Sequence, residues 1–312
     1  MSWFLFALLT TLAWGAADLF YKKGADESDK YSHLKTTVIV GLVMGIHAIY
    51  TLLTNDINYD FMNIVIYLPV SLMYILSMTI GYFGLRYLEL SISSPIQNSS
   101  GAVSCILCLI VLGETLDIPS TIGVILICIG VIGLGVIEKR LQDSYTSDDD
   151  RKYKIGFIAF MMPILYCIID ALGTFFDAYY LDDIATTPLV NVTEDTFETV
   201  ANTSYELTFF ICAIILFIFI KFIKRQSFTP KMQGNRLAAA VFETIGQFFY
   251  VYALSGNGVV AAPMIASYCI VSMILSRIFL KEKLTASQYI TIIIAILGII
   301  TLGVVDGLAG DF

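Results

Sequence analysis

Ten stretches of this 312-residue chain are long and apolar enough to cross a bilayer, and this leaves few ways to fold. They lie near residues 2–21, 34–54, 62–86, 94–112, 119–138, 154–180, 205–223, 235–255, 259–280 and 286–305. A hydrocarbon core about 30 Å thick is spanned by about 20 helical residues. Inside it, backbone N–H and C=O groups meet no water, so each segment must satisfy its own backbone as a helix. Composition agrees, with 57% apolar and 14% charged residues, where a soluble domain carries about a quarter of its residues as charges. The expectation is an all-α integral membrane protein with ten transmembrane helices. Residues 2–21 lack a positive n-region and a small-residue cleavage site, so they read as a membrane helix rather than a signal peptide.

An internal duplication narrows the architecture. Residues 83–136 lie over 251–304 without a gap, placing Pro95 on Pro263, Ser99 on Ser267, Ser104 on Ser272 and Glu114 on Glu282. Leu116 falls on Leu284, Gly130 on Gly298 and Gly135 on Gly303. A weaker match sets Trp14 on Tyr166 and Asp18 on Asp170. Duplicated apolar segments point to a transporter whose halves surround a central site and rock against each other. Five helices per half is an odd number, so the halves are expected to be inverted about a central cavity. The expected division is 1–142, a cytoplasmic linker at 143–153 within the charged run 139–153, and 154–312. The second half includes an acidic, Thr-rich external loop at 181–204, where Asn191 and Asn202 match the glycosylation pattern.

All 18 Lys and Arg fall in or beside odd-numbered loops. These loops are therefore expected in the cytoplasm and both termini outside, in a cell (inner) membrane. The net charge of −8 is carried in surface loops, and no basic stripe suggests nucleic acid. The six cysteines lie in apolar segments without histidine beside them, Cys105 and Cys108 included. They are expected to pack rather than bind metal.

Ionisable groups at membrane depth are costly and mark candidate sites. Asp18 sits one turn after Trp14, and Asp170 one turn after Tyr166. A carboxylate beside an aromatic face suits an organic cation. The plainer reading of Asp18 is a pair with Lys22. Glu243, Gln247 and Tyr250 form a polar line on one helix, and Asp177 is expected in an outer vestibule. Gln97, Asn98, Ser99 and Ser100 follow Pro95, and Tyr268 is the aromatic of the matching segment. Substrate contact is thus expected from Trp14, Asp18, Tyr166, Asp170, Glu243, Gln247, Tyr250, Gln97, Asn98 and Tyr268. Asp18, Asp170 and Glu243 are the candidates for proton coupling. Glu114 and Glu282 are expected to cap or anchor the turns after their helices, and His47 to be a packing residue.

These segments resemble the drug/metabolite transporter superfamily, and the EamA-like ten-helix transporters most closely. The likeness rests on ALLTTLAWGAADLFYKKGA in the first helix and SSPIQNSSGAVSCILCLIVLGETL in the fourth. It extends to AAPMIASYCIVSMILSRIFLKEKLTASQYITIIIAILGIITLGV in the last two, with Lys-Glu in place of Gly-Glu. The resemblance implies a cavity enclosed by helices four and nine, and secondary transport by alternating access. Some relatives keep their termini in the cytoplasm, whereas the charges here argue the reverse.

The expected solute is a small cationic or zwitterionic metabolite: an amine, a quaternary ammonium compound or an amino acid. An anionic solute such as a nucleotide sugar or sugar phosphate is the alternative within transport. A membrane enzyme acting on lipid is the alternative outside it, but Asp148, Asp149 and Asp150 sit in a linker with no second partner motif, and enzymatic activity is not expected. No cofactor is expected, and the partners are the solute, the bilayer, and protons or another coupling ion, in a monomer or homodimer. Single cysteines introduced at 140 and 190 in a cysteine-depleted background test the orientation. Impermeant maleimide on intact cells is expected to label 190 and to leave 140 unlabelled.

Overall fold

The computed structural model describes residues 2–55, 57–145, 150–228, 230–282 and 284–309. The chain runs through α1 (Trp3–Gly24), α2 (Ser32–Thr54), α3 (Met62–Ile66), α4 (Leu68–Gly84), α5 (Leu90–Asn98), α6 (Ser100–Leu107) and α7 (Ile118–Tyr145). It continues through α8 (Asp150–Leu181), α9 (Phe197–Ile218), α10 (Pro230–Ala266), α11 (Tyr268–Leu275) and α12 (Ala286–Ala309), and the described residues form no strand. Eight stretches are long and apolar enough to cross a membrane. One of them, Gln233–Leu280, has 48 residues, about twice a single crossing. It breaks at Asn257, whose φ of −170° and ψ of 79° are not helical. The 17 residues of α4 are equally apolar but fewer. This is an all-α integral membrane protein.

Lipid as solvent turns the usual pattern outward. Leu53, Ile110 and Ile118 are among the most exposed large side chains, while Ser71, Ser77, Thr37 and Thr203 are fully buried. Small and hydroxyl side chains let backbones approach closely and supply hydrogen bonds that lipid cannot. The main helix pairs are α1 with α10, α4 with α8, α2 with α9, and α7 with α12. Gly41 on α2 shows why they fit: a Cβ there would stand 2.4 Å from the Phe209 carbonyl oxygen of α9. Gly123 and Gly130 of α7 receive Leu302 and Ala295 of α12 in the same way.

The backbone irregularities recur in the register of the duplication. Pro95 lies inside α5 and Pro263 inside α10, and each helix breaks four residues later, at Ser99 and Ser267. The helices beyond the breaks, α6 and α11, each run into a π-helical turn, Cys108–Leu112 and Ser276–Leu280. Each turn closes on a left-handed residue, Gly113 at φ 72° and Lys281 at φ 61°. Gly113 adopts that conformation freely, whereas Lys281 carries a Cβ into it.

Several expectations need correction. Helix α9 begins at Phe197, so residues 197–204 leave the external loop, and Asn202 is buried within the helix. The stretch looked too polar for a membrane helix, but its hydroxyls turn back on the helix itself. Thr203 Oγ1 donates to Thr199 O (2.7 Å) and Ser204 Oγ to Val200 O (2.7 Å). Asn191 stays exposed in the loop. Helix α7 continues to Tyr145 and α8 starts at Asp150, which shortens the charged linker from both sides. Asp148 and Asp149 lie outside the described residues. The six cysteines are free thiols.

Gly41→Val is expected to wedge α2 from α9, because a backbone carbonyl cannot yield as a side-chain tip would. Overpacking of this kind costs about 1–3 kcal/mol. Thermal unfolding of the purified protein in detergent should register the loss.

Candidate functional site

Asp18, Asp170 and Glu243 converge on one cavity, with about 770 Å³ of space between atoms, its mouth included. Helix α1 contributes Trp14, Asp18 and Tyr21, and α10 contributes Glu243, Gln247 and Tyr250. Tyr166, Asp170 and Thr174 enter from α8, Gln97 and Asn98 from α5, Ser100 from α6, and Tyr268 from α11. All ten side chains singled out from the sequence line this cavity. Their spacing on each helix explains the convergence. Positions four apart share a helix face, so an aromatic and an acid on α1 and on α8 point the same way.

Each acid is held by hydroxyls. Asp18 Oδ2 accepts from Ser94 Oγ (2.6 Å) and Ser272 Oγ (2.7 Å). Asp170 accepts from Ser100 Oγ (2.7 Å) and Ser77 Oγ (3.3 Å). Glu243 Oε2 accepts from Tyr21 Oη (3.2 Å). Asp18 and Glu243 are each only 7% exposed. Lys22, four residues after Asp18, does not pair with it. Its ammonium donates to the carbonyls of Leu85 (2.9 Å) and Leu88 (2.6 Å) instead. This leaves Asp18 to the cavity. No Lys, Arg or His occurs among the described lining residues, and no described cluster of His, Cys, Asp or Glu suits a metal ion.

Aromatic rings form the walls. Trp14 lies 4.9 Å from Tyr250 and 5.8 Å from Tyr268, ring centre to ring centre, and its indole N–H donates to Glu243 O (3.2 Å). The ring rests on Gly246, where a Cβ would stand 2.3 Å from Trp14 Cδ1. Gln97 Nε2 donates to Ser93 Oγ (3.0 Å), and Asn98 Nδ2 to Ser94 O (2.9 Å). Tyr74, Tyr82 and Tyr205 also line the cavity. Sequence reasoning passed over them because tyrosine in an apolar helix suits a lipid interface equally well.

Asp177 is not in an open vestibule. It is buried, and Tyr67 Oη donates to its Oδ1. The Tyr74 and Tyr250 hydroxyls bond to each other, and Tyr74 donates to Thr174 (3.1 Å). These hydroxyls thus tie α4 to α8 and to α10. His47 is hydrogen-bonded within the packed helices: its Nδ1 lies 2.8 Å from both carboxylate oxygens of Glu206, which is fully buried on α9. That pair stands outside the cavity lining. Glu206 was the missed acid; its signal is a charge at the head of the apolar run 207–218 of α9.

The end carrying the basic residues is tied across the fold. Arg86 donates to the carbonyls of Asp26, Lys30 and Glu27. Glu282 accepts from the backbone N–H groups of Leu90 (3.2 Å) and Ser91 (3.0 Å). It therefore caps the first turn of α5, in the other part of the chain, rather than the turn after its own helix. Burial, followed by the nearby Glu282, pushes the Glu89 carboxyl at this end above its ordinary value.

A family model described as the EamA-like transporter family matches residues 1–136 and 186–304. A solved structure described only as "Crystal structure of protein" is similar with a TM-score of 0.67, at 10% identity, over 98% of both chains. At that identity it shows a likeness of fold alone. No curated protein matches the chain.

Gly246→Ala is expected to push the Trp14 indole off α10 and into the cavity, costing about 1–3 kcal/mol. Tryptophan emission and thermal unfolding read the change. Gly234→Ala, where a Cβ meets nothing within 4 Å, should leave both unchanged.

Proposed function

Because this chain belongs to the EamA-like transporter family, whose members are membrane transporters of small solutes, we propose that it carries an organic cation by alternating access. The observation that carries this reading is the lining itself: Asp18, Asp170 and Glu243 with aromatic walls and no described basic side chain. A cation gains both charge and ring-face attraction there, while an anionic metabolite would find no counter-charge. Protons and substrate compete for the same three carboxylates, which links solute movement to a proton gradient.

The architecture proposed with it has ten crossings in two inverted halves, 1–142 and 154–312. Counting Gln233–Leu280 as two crossings and adding α4 to the other spans brings the eight to ten. Exchanging the halves would carry α1–α10 onto α8–α4 and leave α2–α9 and α7–α12 in place, and these are the pairs that pack. The matching π-turns and left-handed closures support the same repeat. The halves rock about the cavity, with the basic end in the cytoplasm of the cell membrane.

Thermal stability in detergent against organic cations, amino acids, anions and sugar nucleotides is the first test. A cation should stabilise saturably, and Asp18→Asn or Asp170→Asn should weaken it by at least about tenfold, the value of one charge-assisted hydrogen bond. Binding in weakly buffered solution should release protons. Stabilisation by anions alone would sink the site assignment.

A further inference from the structure

Resting on the assignment of a cationic solute to this cavity, we infer that the solute is an α,ω-diamine or longer polyamine, with N–H-bearing positive charge at both ends of an apolar spacer. Charge count is the first ground. Three carboxylates line the cavity and no described basic side chain balances them. A monocation answers only one carboxylate and leaves the others to be neutralised by protons, whereas a dication answers two. An amino acid adds a further carboxylate and finds no described cation to receive it.

Unfilled acceptors are the second ground. Both serine hydroxyls at Asp18 bond to Oδ2, and no described residue donates to Oδ1. Tyr21 bonds to Oε2 of Glu243, and no described residue donates to Oε1. Among the described residues, none makes a hydrogen bond of normal geometry to the hydroxyl of Tyr82, a cavity-lining residue only 6% exposed. Tyr82 lies 4.5 Å from Tyr21, ring centre to ring centre, and so stands at the Glu243 end. These acceptors call for N–H donors, which a quaternary ammonium group lacks.

Separation is the third ground. Asp18 is held by Ser94, and Asp170 by Ser100. Ser94 lies on α5 and Ser100 on α6, on opposite sides of the break at Ser99, so the two acids are held at separate places on the cavity wall. Trp14 and Tyr166 each sit one turn from their acid and also line the cavity. Their faces suit a methylene spacer and the ammonium groups at its ends. The acid positions thus match two charged ends, and the rings match the chain between them.

The test uses the full-length protein in detergent at fixed ionic strength. Saturable thermal stabilisation is measured with 1,4-diaminobutane, 1,5-diaminopentane, butylamine, tetramethylammonium and lysine. The diamines are expected to bind at least about tenfold more tightly than butylamine, the effect of one added charge-assisted hydrogen bond. Glu243→Gln should reduce the preference for 1,4-diaminobutane over butylamine by at least about tenfold. Butylamine, tetramethylammonium or lysine binding as tightly as the diamines in the unaltered protein would overturn the diamine inference and leave the cation reading standing. Stabilisation by anions alone, or by none of the amines, would overturn both.

Discussion

A carboxylate in the interior of a bilayer has no water to bond to, so its partners must come from the protein. Asp18 shows what this demands. Its Oδ2 takes hydroxyls from Ser94 on α5 and Ser272 on α11, bringing three helices distant in sequence to one oxygen. Asp170 draws Ser77 of α4 and Ser100 of α6 towards α8 in the same way. The helices that carry no acid of their own are thereby fixed around the cavity by the acids of the others. Glycine does the complementary work, as at Gly246, where the absent Cβ admits the Trp14 ring.

The broken helices follow from the same economy of hydrogen bonds. Pro95 and Pro263 interrupt the regular backbone ladder inside helices, and Ser99 and Ser267 turn hydroxyls back to the carbonyls of Pro95 and Met264. Irregular backbone is tolerable at this depth only where protein covers it or a cavity receives it. Both breaks flank cavity-lining segments, with Gln97, Asn98 and Ser100 around one and Ala266 and Tyr268 around the other. Where the first π-turn closes on Gly113, the second closes on Lys281. A Lys in left-handed backbone keeps the shape of the repeat at some local cost.

Much of the site was legible because polar side chains are expensive in an apolar segment. Trp14 and Asp18, or Tyr166 and Asp170, stand out for that reason, and their fourfold spacing places each pair on one face. Tyr74, Tyr82 and Tyr205 did not stand out, since an aromatic ring is at home against lipid, in a core or on a cavity wall. Residues 197–204 misled for the opposite reason. Their Thr and Ser hydroxyls read as loop, yet they are satisfied by their own helix. Lys22 looked like the partner of Asp18 because it is four residues on, but its long stem reaches the carbonyls ending α4.

From sequence alone followed the membrane-spanning helical class, the internal duplication of the sequence, the end that carries positive charge, and ten of the side chains that line the cavity. Each of these depends on local properties: segment length against bilayer thickness, spacing along one helix, and the cost of a charge in lipid. Tertiary structure decided which hydroxyl answers which acid, that Glu282 caps α5, that His47 meets Glu206, and that no described residue donates to Asp18 Oδ1 or Glu243 Oε1. Those outcomes join residues from separate helices. They depend on how the helices stack, and no spacing within a single segment encodes that.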